Sequence, residues 1–316
     1  MNTSMTTSQP TAMTAQSFVL LLCLAAVWGG SFLFAELALR EVPPMTITLH
    51  RVVWAVPALL LALRLGGLAL PRSARFWGGA LGMGLLNNAI PFSLIFWGQQ
   101  QIEAGLASIL NGTTAMFGAV VAGLLLPDEP LTPNKLAGAV LGLLGVAVIM
   151  GPEALGGFDP ANLAQLAVLG AALSYALASV WGKRLLGGHP PLVNATGMLI
   201  GAAVLMLPVV LLVEGPPRFD LSAGTFGALA GLALLSTSLA YALYFAILRR
   251  AGAANLMLVT LLIPPFAIAL GALVLGERIG AAEGVGFAVI ALGFVVTDGR
   301  LLSRCRRVSQ KRGAGS

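Results

Sequence analysis

The sequence breaks into apolar stretches of about twenty residues, one after another, joined by links too short to hold a domain. That pattern decides the solvent. A helix of about 20 apolar residues rises far enough to cross the hydrocarbon core of a bilayer. Helices and closed barrels alone can span it with their backbone polar groups satisfied. Cutting the chain at its polar, glycine and proline punctuation yields ten such stretches: 18–39, 44–65, 77–97, 101–126, 133–151, 163–184, 192–213, 223–247, 253–275 and 280–298. The links carry Val42-Pro43-Pro44, Pro71-Arg72-Ser73, Asp128-Glu129-Pro130, Gly188-His189-Pro190-Pro191 and Glu214-Gly215-Pro216-Pro217. With 58% hydrophobic and only 9% charged residues, the chain is far from the roughly 25% charged residues of a soluble domain. The expected class is an all-α integral membrane protein of ten transmembrane helices.

The N-terminal stretch, Phe18 to Leu39, exceeds a signal-peptide core of about 7–15 residues, and residues 1–17 contain no lysine or arginine. It therefore reads as a retained first span. Cys23 falls inside that span and Cys305 in a basic tail, so no disulfide framework is expected. The net charge of +6 has a topological explanation. With the N-terminus inside, cytoplasmic links receive Arg64, Arg72, Arg75, Lys135, Lys183, Arg184, Arg249 and Arg250, while the outer side receives only Arg40, Arg218 and Arg278. Lysine and arginine are retained on the cytoplasmic face. Residues 1–17 and the basic tail 299–316 are thus expected to be cytoplasmic, in an inner (cytoplasmic) membrane, with no call for nucleic acid as a partner.

The chain also repeats itself at an offset of about 148 residues. Residues 85–126 lie over 234–275, Glu129 over Glu277, Gly138 over Gly286 and Gly145 over Gly293. Small residues seven apart permit close helix contact. Val27-Trp28-Gly29 falls over Ser174-Tyr175-Ala176 at a slightly shorter offset. The units are 18–151 and 163–298. Five spans per unit is odd, so the second unit enters the membrane upside down. Such inverted repeats place a site at their interface near the midplane and expose it to each side by rocking.

Polar residues at depth are the candidates for that site. Arg51 lies about seven residues into span two, roughly 10 Å by helical rise, and a charge within a span ordinarily faces a cavity or a partner. Glu36 sits in the last turn of span one, close enough for a Glu36–Arg51 pair. That pair reads either as a contact for substrate charge or as a structural pair snorkelling to the interface. His50 adjoins Arg51 and titrates near neutrality in its unperturbed form; a lone buried histidine is more often simply hydrogen-bonded. Asn87 and Asn88 stand beside Pro91, and Asn111, Thr113 and Thr114 lie halfway along span four. The second unit matches these with Ser236, Thr237, Ser238, Tyr241 and Tyr244, then Asn255 and Thr260, with Pro264-Pro265 expected to break span nine. Such groups either line a cavity or tie helices together. Trp28 lies mid-span and Tyr175 at the matching depth, both suited to stacking on a planar or cationic solute; Trp77, Trp97 and Trp181 are assigned to interfacial belts.

At these residues the chain resembles the EamA-type carriers of the drug/metabolite transporter superfamily. The likeness covers residues 18–298. It is carried by Trp28-Gly29-Gly30-Ser31-Phe32, Val42-Pro43-Pro44 with Arg51, Asn87-Asn88-Ala89-Ile90-Pro91-Phe92, Gly105-Leu106-Ala107-Ser108-Ile109-Leu110-Asn111, and the acidic Glu129 and Glu277. Relatives often carry lysine near the end of span one, where this chain has Glu36. The resemblance implies two five-helix repeats and a secondary transporter, often an exporter, of small metabolites such as amino acids, or of drugs. Its partners would be a small solute and the lipid bilayer, with a homodimer allowed.

No cofactor or metal is implied, and no Walker GxxxxGK[ST] is present. An intramembrane enzyme is disfavoured because HExxH, GxSxG, paired intramembrane aspartates and Cys/His clusters are all missing from the sequence. A passive facilitator or channel remains the alternative.

Overall fold

The computed structural model describes residues 14–127, 129–150 and 160–298. The terminal tails, Asp128 of the fourth link and residues 151–159 fall outside them. Among the described residues the helical rods are, in order, α1 (Ala15–Leu39), α2 (Pro44–Leu65), α3 (Ala74–Gly98), α4 (Ala104–Leu125), α5 (Pro133–Met150), α6 (Pro160–Leu185), α7 (Pro191–Val213), α8 (Ala223–Gly252), α9 (Val259–Leu275) and α10 (Ala281–Asp298). No strand occurs among the described residues. Eight rods are long and apolar enough to cross a membrane; α9 and the apolar stretch Ala281–Thr297 of α10 are shorter. This is a multi-pass membrane protein, with eight of the ten anticipated spans reaching that length.

Local chemistry starts the helices where the sequence is punctuated. Ser73 and Ser222 accept from the amides of Phe76 and Thr225 at 3.3 and 3.2 Å. Pro44, Pro133 and Pro191 open α2, α5 and α7, where a missing N–H costs nothing.

Span nine departs from expectation. Gly252, at φ 78°, ends α8; one further turn follows to Leu256, and α9 begins only at Val259. The break thus lies at Met257–Leu258, and the helix runs unbroken through Pro264 and Pro265. A proline does its damage one turn upstream, where its ring crowds the carbonyl four residues back. In that preceding turn the backbone tightens, with Leu261 N bonded to the carbonyl of Leu258 and Thr260 N to that of Met257.

The two halves pack crosswise. α1 lies on α8 and α9 as α6 lies on α3 and α4; α2 lies on α8 as α7 lies on α3. Three further cross contacts, α2 with α7, α4 with α9 and α5 with α10, join equivalent helices, and α4 also touches α10. The α5–α10 contact shows the relation at atomic scale. A Cβ on Gly145 would sit 2.7 Å from the carbonyl oxygen of Gly286, and one on Gly286 would sit 2.7 Å from that of Gly145. Gly138 and Gly293 face each other in the same way. The glycines noted in the sequence meet their opposite-numbered counterparts, so these helices run antiparallel.

Carboxylates tie the halves together at helix starts, where backbone amides lack partners. Glu214 accepts from the amides of Met45 and Thr46 at 3.0 and 2.7 Å and from the Thr46 hydroxyl at 2.8 Å. Glu277 accepts from the amides of Ala104 and Gly105 at 2.9 and 3.2 Å. Glu41 reaches the amide of Ser222 at 2.8 Å.

Candidate functional site

The third helix of each half is not a plain α-helix. Residues Leu85–Ala89 of α3 and Gly231–Leu239 of α8 are π-helical, and the 148-residue offset lays one on the other. Wide turns of this kind recur at functional sites. In α3 the amide of Ile90 bonds to the carbonyl of Leu85, five residues back. The next bond in that register would run from residue 91 to Leu86, but Pro91 has no N–H to give. The Ser174 hydroxyl of α6 donates to the Leu86 carbonyl at 2.7 Å instead. In α8 the hydroxyls of Thr237 and Ser238 donate five residues back, to the carbonyls of Leu232 and Ala233 at 2.9 and 3.0 Å.

Arg51 crosses from α2 into this π segment of α8. Its Nε donates to the Thr237 hydroxyl at 3.1 Å and its Nη2 to the Ser236 carbonyl at 3.4 Å. The guanidinium lies over the Phe92 ring, 3.8 Å from the centroid, and Arg51 as a whole is 7% exposed. Tyr175 and Tyr241 are within its electrostatic reach. Ser236 Oγ donates to the Val27 carbonyl at 3.0 Å, beside Trp28, whose ring is 6.1 Å from that of Tyr244. Tyr241 and Tyr244 both pack on Phe245. Trp28, Arg51, Tyr175, Ser236 and Tyr241 therefore share one layer between the halves. Asn88 stands one turn before Phe92, fully buried, with neither side-chain amide atom hydrogen-bonded.

Other sequence candidates go elsewhere. The Glu36–Arg51 pair does not form: Glu36 accepts instead from Gln99 Nε2 at 3.4 Å, while that nitrogen also donates to the Phe32 carbonyl. Arg51 faces the opposite half, whereas Glu36 faces the link after α3. There it lines a cavity of about 340 Å³ with Arg40, Glu103 and Glu277. Burial and the carboxylates of Glu277 and Glu283 push the Glu103 carboxyl above its usual range. His50 turns away from Arg51, since neighbouring helical residues point about 100° apart. It packs edge-on to Trp54 and Phe219, its Nε2 sealed and without a partner. Asn87 lies 3.8 Å from Met198 Sδ. Asn111 and Asn255 mark the interruptions of α4 and the turn before α9. Trp181, expected in a belt, donates to the Gly79 carbonyl at 3.0 Å and fills the space over Gly82.

Ser174, Gln99 and Phe245 were not singled out as site residues by their types. Pro91 was the available signal for Ser174, because a missing donor implies an orphaned carbonyl that something must serve. At the far end of the bundle from Glu277, a second cavity of about 370 Å³ is lined by Arg75, Lys183, Arg184 and His189.

The EamA-like transporter family matches twice, over residues 16–151 and 162–297. The chain belongs to the EamA-like transporter family. This EamA-like protein is 28% identical to a "Probable amino-acid metabolite efflux pump" of Salmonella typhimurium, over 92% of this chain and 97% of that one. It is 27% identical to the "Uncharacterized transporter YoaV" of Bacillus subtilis, over 86% and 93%. A solved structure at 21% identity superposes with a TM-score of 0.65, covering 92% of this chain and 98% of that one. It shows the fold alone. Membership makes the EamA-like chain a transporter rather than an enzyme and fits the paired, interlocked halves.

Proposed function

We propose that this chain is a secondary exporter of small metabolites, amino acids or related solutes, working by alternating access between two inverted five-helix repeats, 18–151 and 163–298, with ten spans in all. The crossed, reciprocal contacts of the halves carry this reading, because a pair of antiparallel equivalent helices with matched glycines is what an in-membrane two-fold axis requires. Export of amino-acid metabolites is suggested by the name of the Salmonella typhimurium relative. The basic cavity at Arg75 and Lys183 and the acidic one at Glu36 and Glu277 occupy opposite ends of α3. Lysine and arginine stay on the cytoplasmic side, so the Arg75 end faces the cytoplasm of the cell, and so do both termini. Trp28, Arg51, Asn88, Tyr175, Ser236 and Tyr241 line the solute pathway.

Two measurements test this. Single cysteines at positions 72 and 278, labelled from outside intact cells, are expected to be silent and reactive respectively. Purified protein in liposomes is expected to show counterflow, trapped unlabelled solute accelerating entry of label. Labelling at position 72, or flux that rises without saturation as for a facilitator, would reverse the proposal.

A further inference from the structure

Arg51 poses a problem of charge. Its guanidinium has five N–H donors, and the structure occupies two, with a hydroxyl and a backbone carbonyl. Neither acceptor is charged. Among the described residues no carboxylate pairs with it, and Glu36, the nearest candidate by sequence, is engaged with Gln99. A cation withdrawn from water in this way is ordinarily paired. The Phe92 ring beneath it offers a weak negative face but no countercharge.

The groups around Arg51 are equally incomplete. The hydroxyls of Tyr175 and Tyr241, within its electrostatic reach, have no protein partner among the described residues. Both polar atoms of the Asn88 amide are buried and unpartnered one turn from Phe92. An unmet fork of N–H donors, two spare hydroxyls and a spare amide match a planar oxyanion, which accepts bidentately from guanidinium. The surrounding Trp28, Tyr244 and Phe245 rings match an apolar remainder.

We infer that the transported solute bears a carboxylate, and that Arg51 is its anchor, assisted by the hydroxyls of Tyr175 and Tyr241. The inference rests on the transporter reading above and narrows it to a substrate class. It also explains why an unpaired arginine persists within the bundle: the countercharge arrives with the solute and leaves with it.

The test compares each acid with its own neutral amide. Full-length protein in liposomes is assayed by counterflow with labelled phenylalanine, leucine and threonine, each competed by itself and by phenylalaninamide, leucinamide or threoninamide. At least one acid is expected to show saturable flux, with its amide competing at least about tenfold more weakly, since a site built for a polar group rejects the analogue lacking it. Arg51→Gln is expected to raise the KM for that acid at least about tenfold, with Arg51→Lys restoring part of the loss and the turnover of each variant changing less than its KM. Equal competition by acid and amide would overturn the carboxylate assignment while leaving transport intact. So would an Arg51→Gln protein with unchanged KM. Absence of saturable flux for every acid would instead remove the amino-acid exporter reading, and this inference with it. Should Arg51→Gln fail to insert, the acid-against-amide comparison in the unaltered protein still decides.

Discussion

Asn88 separates stability from function at the scale of one residue. A buried amide with no hydrogen bond costs the fold about 1–3 kcal/mol in desolvation, so its removal should not harm the resting protein. Asn88→Ala is expected to leave thermal unfolding in detergent unchanged, or to raise its midpoint, while counterflow falls severalfold. A drop in midpoint of several degrees would mean that the amide serves the fold. Burial and partners also show what the residue scale can reveal beforehand. Arg51 is conspicuous in the sequence because a charge seven residues into an apolar stretch needs a reason. Its partner Thr237 lies 186 positions away, and nothing local in either stretch joins them. His50 looks equivalent to Arg51 on paper, yet one step along the helix sends it into the Trp54–Phe219 rings.

Elements carry the next set of constraints, and the π turn of α3 is the clearest. Ser174 serves the Leu86 carbonyl because Pro91 cannot. Restoring the donor by Pro91→Ala should therefore make Ser174 dispensable. Ser174→Ala alone is expected to cost about 1–3 kcal/mol by leaving a buried carbonyl unserved, and much less in a Pro91→Ala background. A double-mutant cycle read by thermal unfolding measures the difference. Additive effects would show that the two residues act separately.

Helix caps give a second expectation at this scale. Bonds from Ser222 hold the exposed Glu41 carboxyl below its ordinary value of 4.5. Because the folded-state value is depressed, the cap's contribution is present above pH 4.5 and is lost as pH falls through the folded value. Glu41→Gln is thus expected to melt slightly below the unaltered protein at neutral pH and together with it in strong acid. A gap that persists or widens in acid would assign the effect elsewhere.

For the molecule as a whole, the spans were legible because hydropathy is additive along the chain, and the repeat because glycine spacing survives where other identity has faded. The crossed pairing was not: an inverted second unit makes α5 and α10 antiparallel, but nothing local to either stretch says that these two helices meet. Glu277 was visible as the twin of Glu129, but its role in capping α4 depends on amides 172 and 173 positions away. The interruption before α9 was misplaced because it lies at Met257–Leu258, well ahead of Pro264, and the helix runs on through both prolines. That reciprocity yields a final expectation. Gly145 and Gly286 fill the same contact from opposite sides, each leaving 2.7 Å for a Cβ against the other's carbonyl. Such overpacking costs about 1–3 kcal/mol, and Gly145→Ala and Gly286→Ala should each lower the unfolding midpoint by a similar amount. The double variant should cost less than the two combined, because helices already pushed apart by one methyl admit the second. Strict additivity would mean that the two methyls strain separate contacts, and the two-fold relation between α5 and α10 would then fail where it is most closely drawn.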